Sequence, residues 1–248
     1  MTDSRKFGSA VLATVSIADE HLDVWTRTAN AMNKQQPARA IVMATLLEEA
    51  LGKLDAVVEQ TRSKTLAERY EAFTPELKAK LAFEKGRLYF SVAGVGLESS
   101  KWPERLKSGG HELSKWGADI LSKHEYDSKH RLEADKVYKL ALVLGTEFAT
   151  DAKRSTGEVK AFARHEFGDQ SVDGLKGELT LLIREKFTNA ELEEMGLWYI
   201  VVLHEPIIDS DGSPSVLCSS RRDGSYVGTR YASPVIQWRA HGAFAFPA

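Results

Sequence analysis

The stretch Glu191-Leu-Glu-Glu-Met-Gly196-Leu-Trp-Tyr-Ile-Val-Val-Leu203 decides the reading of the fold, because the hydrophobic period changes inside it. Thr188-Asn-Ala-Glu191, at its start, matches the capping box that opens a helix: a hydroxyl and a carboxylate each satisfy a backbone N–H that the first turn leaves free. Gly196 suits the left-handed residue that ends a helix. From Leu197 to Leu203 the chain is bulky, aromatic and β-branched, the composition a buried strand favours.

Downstream, Asp209-Ser-Asp-Gly-Ser-Pro214 reads as a turn and residues 215–220 as a short strand, which together give a hairpin. Arg222-Asp-Gly-Ser225 predicts a second tight turn, since Asp-Gly tolerates positive φ. Residues 226–231, 235–238 and 243–246 supply further strands, separated by Pro234 and Gly242. A sheet of four or five short strands is not stable alone, so one face of it is expected to pack on helices.

Upstream, Val11, Val15, Ala18, Leu22, Trp25, Ala29 and Met32 follow at alternating steps of four and three, which places them on one helix face. Pro37 suits the first turn of a second helix, whose stripe is Ala40, Met43, Ala44, Leu47, Leu51, Leu54 and Val58. Two long antiparallel helices follow from this pattern. Thr65-Leu-Ala-Glu68 is another capping box, and Thr74-Pro75-Glu76 an N-cap with proline at the first helical position. Leu88-Tyr-Phe-Ser-Val92 reads as extended, inside an irregular connection between Gly86 and Gly110. Further helices are expected over residues 112–122, over 132–151 on the spacing of Val137, Leu140, Ala141, Leu144 and Phe148, and through Leu175, Leu179, Leu182, Ile183 and Phe187. The predicted fold class is therefore α+β, mainly α: an N-terminal multi-helix bundle (residues 1–196) followed by a small C-terminal antiparallel β-meander (197–248) packed on it.

The 33 Lys and Arg residues are balanced by 35 Asp and Glu, so the net charge of -2 does not describe a polycation built for nucleic acid. Hydrophobic residues at 43% and charged residues at 27% are globular values, which excludes disordered and disulfide-scaffold classes. One cysteine, Cys218, forms no internal disulfide and points to a reducing compartment, the cytoplasm. The N-terminal apolar run soon meets Asp19 and Glu20, so neither a signal peptide nor a membrane span is expected.

Candidate chemistry is sparse. His124, Asp127 and His130 are metal-ligand types at helical spacing, although their charged surroundings read as a solvated segment. His111-Glu112 starts like a zinc-protease motif but lacks the second histidine. His165-Glu166 and His204-Glu205 set a base beside an acid, and His204 ends the apolar strand, where a chain often meets a cleft. Asp209 to Gly212 resembles the start of a calcium loop, yet Ser220 stands where such a loop needs glutamate. Gly94-Val-Gly96 lacks the third glycine of a dinucleotide fingerprint. Arg221, Arg222, Arg230 and Arg239 lie among Tyr226, Tyr231 and Trp238, a mixture that could stack on bases or anchor a protein partner.

Ala38-Arg-Ala-Ile-Val-Met-Ala-Thr-Leu-Leu-Glu-Glu-Ala-Leu51 resembles the first long helix of mannitol-repressor-like and related HEPN-type helical domains. Ribonuclease members of that superfamily carry an Arg, a polar residue, a few residues and then a His, which implies Arg105 and His111 here. This chain departs from that pattern, with Leu106 after the arginine and glycines before the histidine. The resemblance covers one helix and assigns no family.

The expected function is that of a non-catalytic interaction or regulatory protein that binds a protein partner or a second copy, with no cofactor. The first alternative is a hydrolase or nuclease whose Arg105, His111, His165 and His204 converge only in the fold. The second is nucleic-acid binding through Arg221, Arg222, Tyr226, Arg230, Tyr231 and Trp238.

Overall fold

Val137-Tyr-Lys-Leu-Ala-Leu-Val-Leu144, read above as helix, is a strand near the middle of a mixed sheet. A computed structural model gives the architecture, which is described for residues 65–221 and 224–248. The two long helices expected between Val11 and Gln60 lie outside the described residues.

In chain order the strands are β1 (Ala82–Glu84), β2 (Arg87–Ala93), β3 (Glu112–Leu113), β4 (Val137–Leu144), β5 (Tyr199–Val201), β6 (Ile207–Ile208), β7 (Pro214–Ser220), β8 (Tyr226–Tyr231) and β9 (Gly242–Pro247). The helices are α1 (Leu66–Glu71), α2 (Pro75–Lys78), α3 (Trp102–Ser108), α4 (Lys115–Leu121), α5 (His124–Lys129), α6 (Thr156–Phe167), α7 (Glu178–Lys186) and α8 (Asn189–Glu194). Among the described residues the nine strands form one sheet in the order β1-β2-β4-β9-β5-β7-β8-β3, with β6 also paired to β7. Strands β5 and β9 run parallel, as do β3 and β8; the other pairs are antiparallel.

This overturns the bundle-plus-meander expectation. The C-terminal strands do not stand apart: β9 crosses back to lie between β4 and β5, so one sheet runs through the whole of residues 66–248. The physical reason is β4. Leu140, Ala141, Leu142 and Val143 are each 0% exposed, because helices cover the sheet on both faces there. A strand buried on both faces shows no polar alternation, and its apolar run satisfies a helical template as readily as a strand.

The register sorts the core. Leu88, Phe90, Leu140, Leu142, Ala245 and Ile200 share one face, over which α7 packs; Phe187, just past that helix, meets Phe90 edge-on with ring centroids 5.1 Å apart. Tyr199, Phe244 and Phe246 share the opposite face, where Phe244 meets Phe148 at 6.1 Å and Phe246 stacks near Phe167 of α6 at 6.4 Å. Helix α7 is buried at every residue from Glu178 to Arg184. Its single buried cation, Arg184, donates to the carbonyls of Ser220 and Phe187 and so ties the helix end to β7.

Other sequence signals hold locally. Thr74 caps α2 with Pro75 at its first turn, Leu88 to Val92 lie in β2, and residues 226–231 form β8. Residues 235–238 do not form a strand; a lone bridge joins Gln237 to Ser155. Residues 112–122 divide between β3 and α4. Helix α6, with Ser155 accepting the Glu158 N–H, was not foreseen.

At α8 the capping box is complete: Thr188 Oγ1 accepts the Glu191 N–H at 3.2 Å, and a Glu191 oxygen accepts the Thr188 N–H at 2.8 Å. Replacing Thr188 with alanine is expected to destabilise the fold by about 1 kcal/mol. Urea denaturation should show a lower midpoint at unchanged slope.

Candidate functional site

The site begins with an interruption in the sheet. Strand β5 pairs with β7 as far as Val201–Cys218, and β6 resumes on the same edge at Ile207–Ser215. Residues 202–206 leave the ladder, and the His204 ring fills the gap. Its Nε2 accepts the Leu217 N–H at 3.0 Å, while Nδ1 lies 2.6 Å from the Glu205 carbonyl. A carbonyl only accepts and an N–H only donates, so the ring is the neutral tautomer with its proton on Nδ1. Burial, reinforced by His130, lowers its pKa to about 3.

His130 follows α5 and packs against His204, ring centroids 4.8 Å apart. Its Nδ1 accepts the Gly177 N–H at 3.3 Å, which puts the neutral ring's proton on Nε2, a buried atom without a partner among the described residues. Burial first, and Lys176 second, bring its pKa down to about 4. Tyr126, one turn earlier, completes the stack with its ring 5.9 Å from His130; burial raises the pKa of its phenol. Gly177 sits against all three: a Cβ there would lie 3.2 Å from the Tyr126 ring and 3.5 Å from His130 Cβ and His204 Nε2. Beside them the buried Glu178 carboxylate accepts the Leu132 and Val95 N–H groups at 2.8 and 3.2 Å, holding two loops. Its pKa is raised by burial, with those backbone donors pulling the other way.

His130 also forms part of the wall of an open pocket of about 570 Å³. Around it stand Lys129, Lys160, Arg164 and Lys176, against the carboxylates of Asp173 and Glu205. Lys129 pairs with Glu125 at 2.8 Å and Glu205 at 3.2 Å, Arg164 reaches Asp173 at 3.4 Å, and Lys176 donates to the Lys129 carbonyl at 2.5 Å. Lys160, half-buried and one turn before Arg164 on α6, makes no hydrogen bond or ion pair among the described residues. Burial, with repulsion from Arg164, lowers its pKa. The pocket is thus a converging set of cations with one donor group uncommitted.

The four proposed acid–base residues do not converge. Arg105 is chelated by Glu185 at 2.7 and 2.9 Å. His111 Nδ1 lies 2.5 Å from Ser225 Oγ beside β8, and burial, then Arg184, lowers its pKa. His165 is exposed on α6 with only Glu166 at 3.1 Å. His204 is interior. Among the described residues no hydrogen bond or ring contact joins any two of them.

Of the metal candidates, His124 is exposed, Asp127 spends both oxygens on the N–H and hydroxyl of Ser99 at 2.9 and 2.8 Å, and His130 turns into the core. Among the described residues no three His, Cys, Asp or Glu side chains are grouped to hold a metal ion.

The C-terminal residues are likewise dispersed. Trp238 is 4% exposed and donates to Thr156 Oγ1 at 3.0 Å. Arg221 donates to the Leu197 carbonyl at 2.7 Å and lies 4.8 Å above the half-exposed Trp198 ring. Tyr226 covers Gly228, where a Cβ would lie 2.5 Å from the ring. Arg230 and Tyr231 are exposed on opposite faces of β8, and Arg222 lies outside the described residues. Cys218 is buried, and burial raises its thiol to about 12, so it stays protonated.

Sequence reasoning missed the pocket's cations. Only the Lys160–Arg164 spacing was available to it; Lys129 comes from α5 and Lys176 from the loop before α7. Among the described residues no helix is long and apolar enough to cross a membrane. Comparison with known protein families, characterised proteins and solved structures finds no match to this chain.

Proposed function

We propose that this chain is a non-catalytic recognition protein of the reducing cytoplasm, which binds an anionic group in the basic pocket and does not transform it. One observation carries the reading: among the described residues, His130 and His204 beside the pocket and the candidate Arg105 are committed to the fold, while an uncommitted cation stands in the pocket. His204 has both nitrogens engaged, Arg105 is held by Glu185, and the nearest histidine to the pocket, His130, is buried and neutral. A general acid or base needs a pKa near the working pH and a path to the reacting atom. His204 and His130, at about 3 and about 4, lack the first.

The test pairs an activity panel with a binding measurement on the full chain. Purified protein should show no phosphatase, nuclease or esterase turnover, and its melting temperature should rise saturably with phosphate or citrate. Turnover abolished by His111→Ala or His165→Ala overturns the reading. So does a melting temperature indifferent to every anion.

A further inference from the structure

Resting on that reading, we infer that the pocket takes the phosphate monoester of a hydroxylated, non-aromatic small molecule, of the sugar-phosphate class. Charge comes first. Lys129, Lys160, Arg164 and Lys176 outnumber the carboxylates set against them among the described residues, Asp173 and Glu205 in the wall and Glu125 on Lys129. A phosphate monoester carries about -1.5 to -2 at neutral pH, an anion suited to a site where cations outnumber carboxylates.

Geometry comes second. Lys160 and Arg164 are one turn apart on the same face of α6, so a point-charge donor and a planar fork face the same space. Three phosphate oxygens need several donors at once, and Lys160 is the donor with no present partner to displace. Asp173 and Glu205 are acceptors at the same rim. A pure polyanion would be repelled by them, whereas a ligand that also carries hydroxyl groups can donate to them.

The wall also excludes. Among the described residues it contains no Phe, Tyr or Trp, and His130 is the one aromatic ring. Nucleobases are held chiefly by stacking on aromatic side chains, so a nucleotide finds no platform here. A volume of about 570 Å³ falls within the range of small-molecule sites and accommodates a phosphorylated sugar.

Isothermal titration of the full chain with glucose phosphate, glucose, inorganic phosphate, citrate and AMP tests the inference. Glucose phosphate should bind at least ~10-fold more tightly than each of the others. The Lys160→Met/Arg164→Gln double variant should lose at least ~10-fold of that affinity, and each single variant a part of it. Lys153→Gln, outside the pocket lining, should bind as the parent does. Circular dichroism and melting temperature matched to the parent establish that the variants fold; Lys160→Gln alone, which removes a half-buried charge without a partner, serves if the double variant does not. Equal affinity for parent and variant overturns the site, and AMP or inorganic phosphate binding as tightly as glucose phosphate overturns the ligand class. Citrate bound in preference to glucose phosphate refutes the phosphate inference but leaves the anion pocket standing. Failure of every anion refutes both.

Discussion

Lowering the pH from 7 to 5 is expected to destabilise the fold through His130 and His204, by about 2 kcal/mol for each ring, with the carboxyls of Glu178 and Glu147, whose pKa burial raises, acting in the opposite direction. Unfolded, each imidazole takes up a proton near pH 6.5; folded, they resist protonation down to about 4 and about 3. Between those limits the unfolded state binds more protons, so stability falls with pH, starting just below 6.5 and ending near the folded values. The cause is burial first, which disfavours the charged ring, and then sterics and neighbouring charge. A proton on His204 Nε2 would face the Leu217 N–H, and a charge on either ring would lie beside the other, with Lys176, Lys129 and Lys160 nearby and Glu125 and Glu205 opposing among the described residues. A loss of that size is a large part of the 5–15 kcal/mol that holds a typical domain. Urea midpoints at the two pH values measure it. His130→Leu should be less stable at pH 7, because the Gly177 N–H loses its acceptor, but should show a visibly shallower pH dependence. A parent protein equally stable at both pH values would show that these rings are not neutral struts.

Gly242→Ala is expected to destabilise the protein by about 3 kcal/mol or more, at the upper end of what overpacking does in a core. A Cβ at this position would lie 2.1 Å from the Tyr199 ring. The ring cannot swing away cheaply. Gly242 is the direct ladder partner of Tyr199, whose ring is buried and whose hydroxyl accepts the Arg239 N–H at 3.0 Å and faces the Arg239 carbonyl at 3.3 Å. The requirement at Gly242 is close approach, with no unusual backbone angle involved. A double-mutant cycle isolates the contact: in a Tyr199→Leu background the alanine should be far better tolerated, giving a coupling of about 1.5 kcal/mol or more. If Gly242→Ala alone melts within a degree or two of the parent, the ring packing described for β5 and β9 is wrong.

Both results turn on pairs that are distant in sequence. Tyr199 was legible as a strand residue and Gly242 as a separator between strands, but nothing in either segment says that they face one another. His204 illustrates the same limit. Its place at the end of an apolar run suggested a cleft, whereas its ring is fully buried and the pocket wall is lined by its neighbours Glu205 and Pro206. Its role as a substitute ladder partner for Leu217 depends on the gap between β5 and β6, which exists only once both have paired with β7.

What the sequence determined by itself are the features fixed by near neighbours. Thr188 and Glu191 close a cap across three residues, Thr74 with Pro75 starts a turn of helix, and the alternation from Tyr226 onward forms β8 where it was read. Each is a balance of local hydrogen bonds and backbone preference, complete within one turn or one strand. The tertiary structure alone decided that residues 137–144 are extended and not helical, because burial on both faces erases the alternation that marks a strand, and only pairing with β2 and β9 supplies the hydrogen bonds that make extension favourable there. It also gathered the pocket's cations from α5, α6 and the loop before α7, since like charges scattered along a chain acquire a common field only when the fold brings them within a few ångströms of the same space.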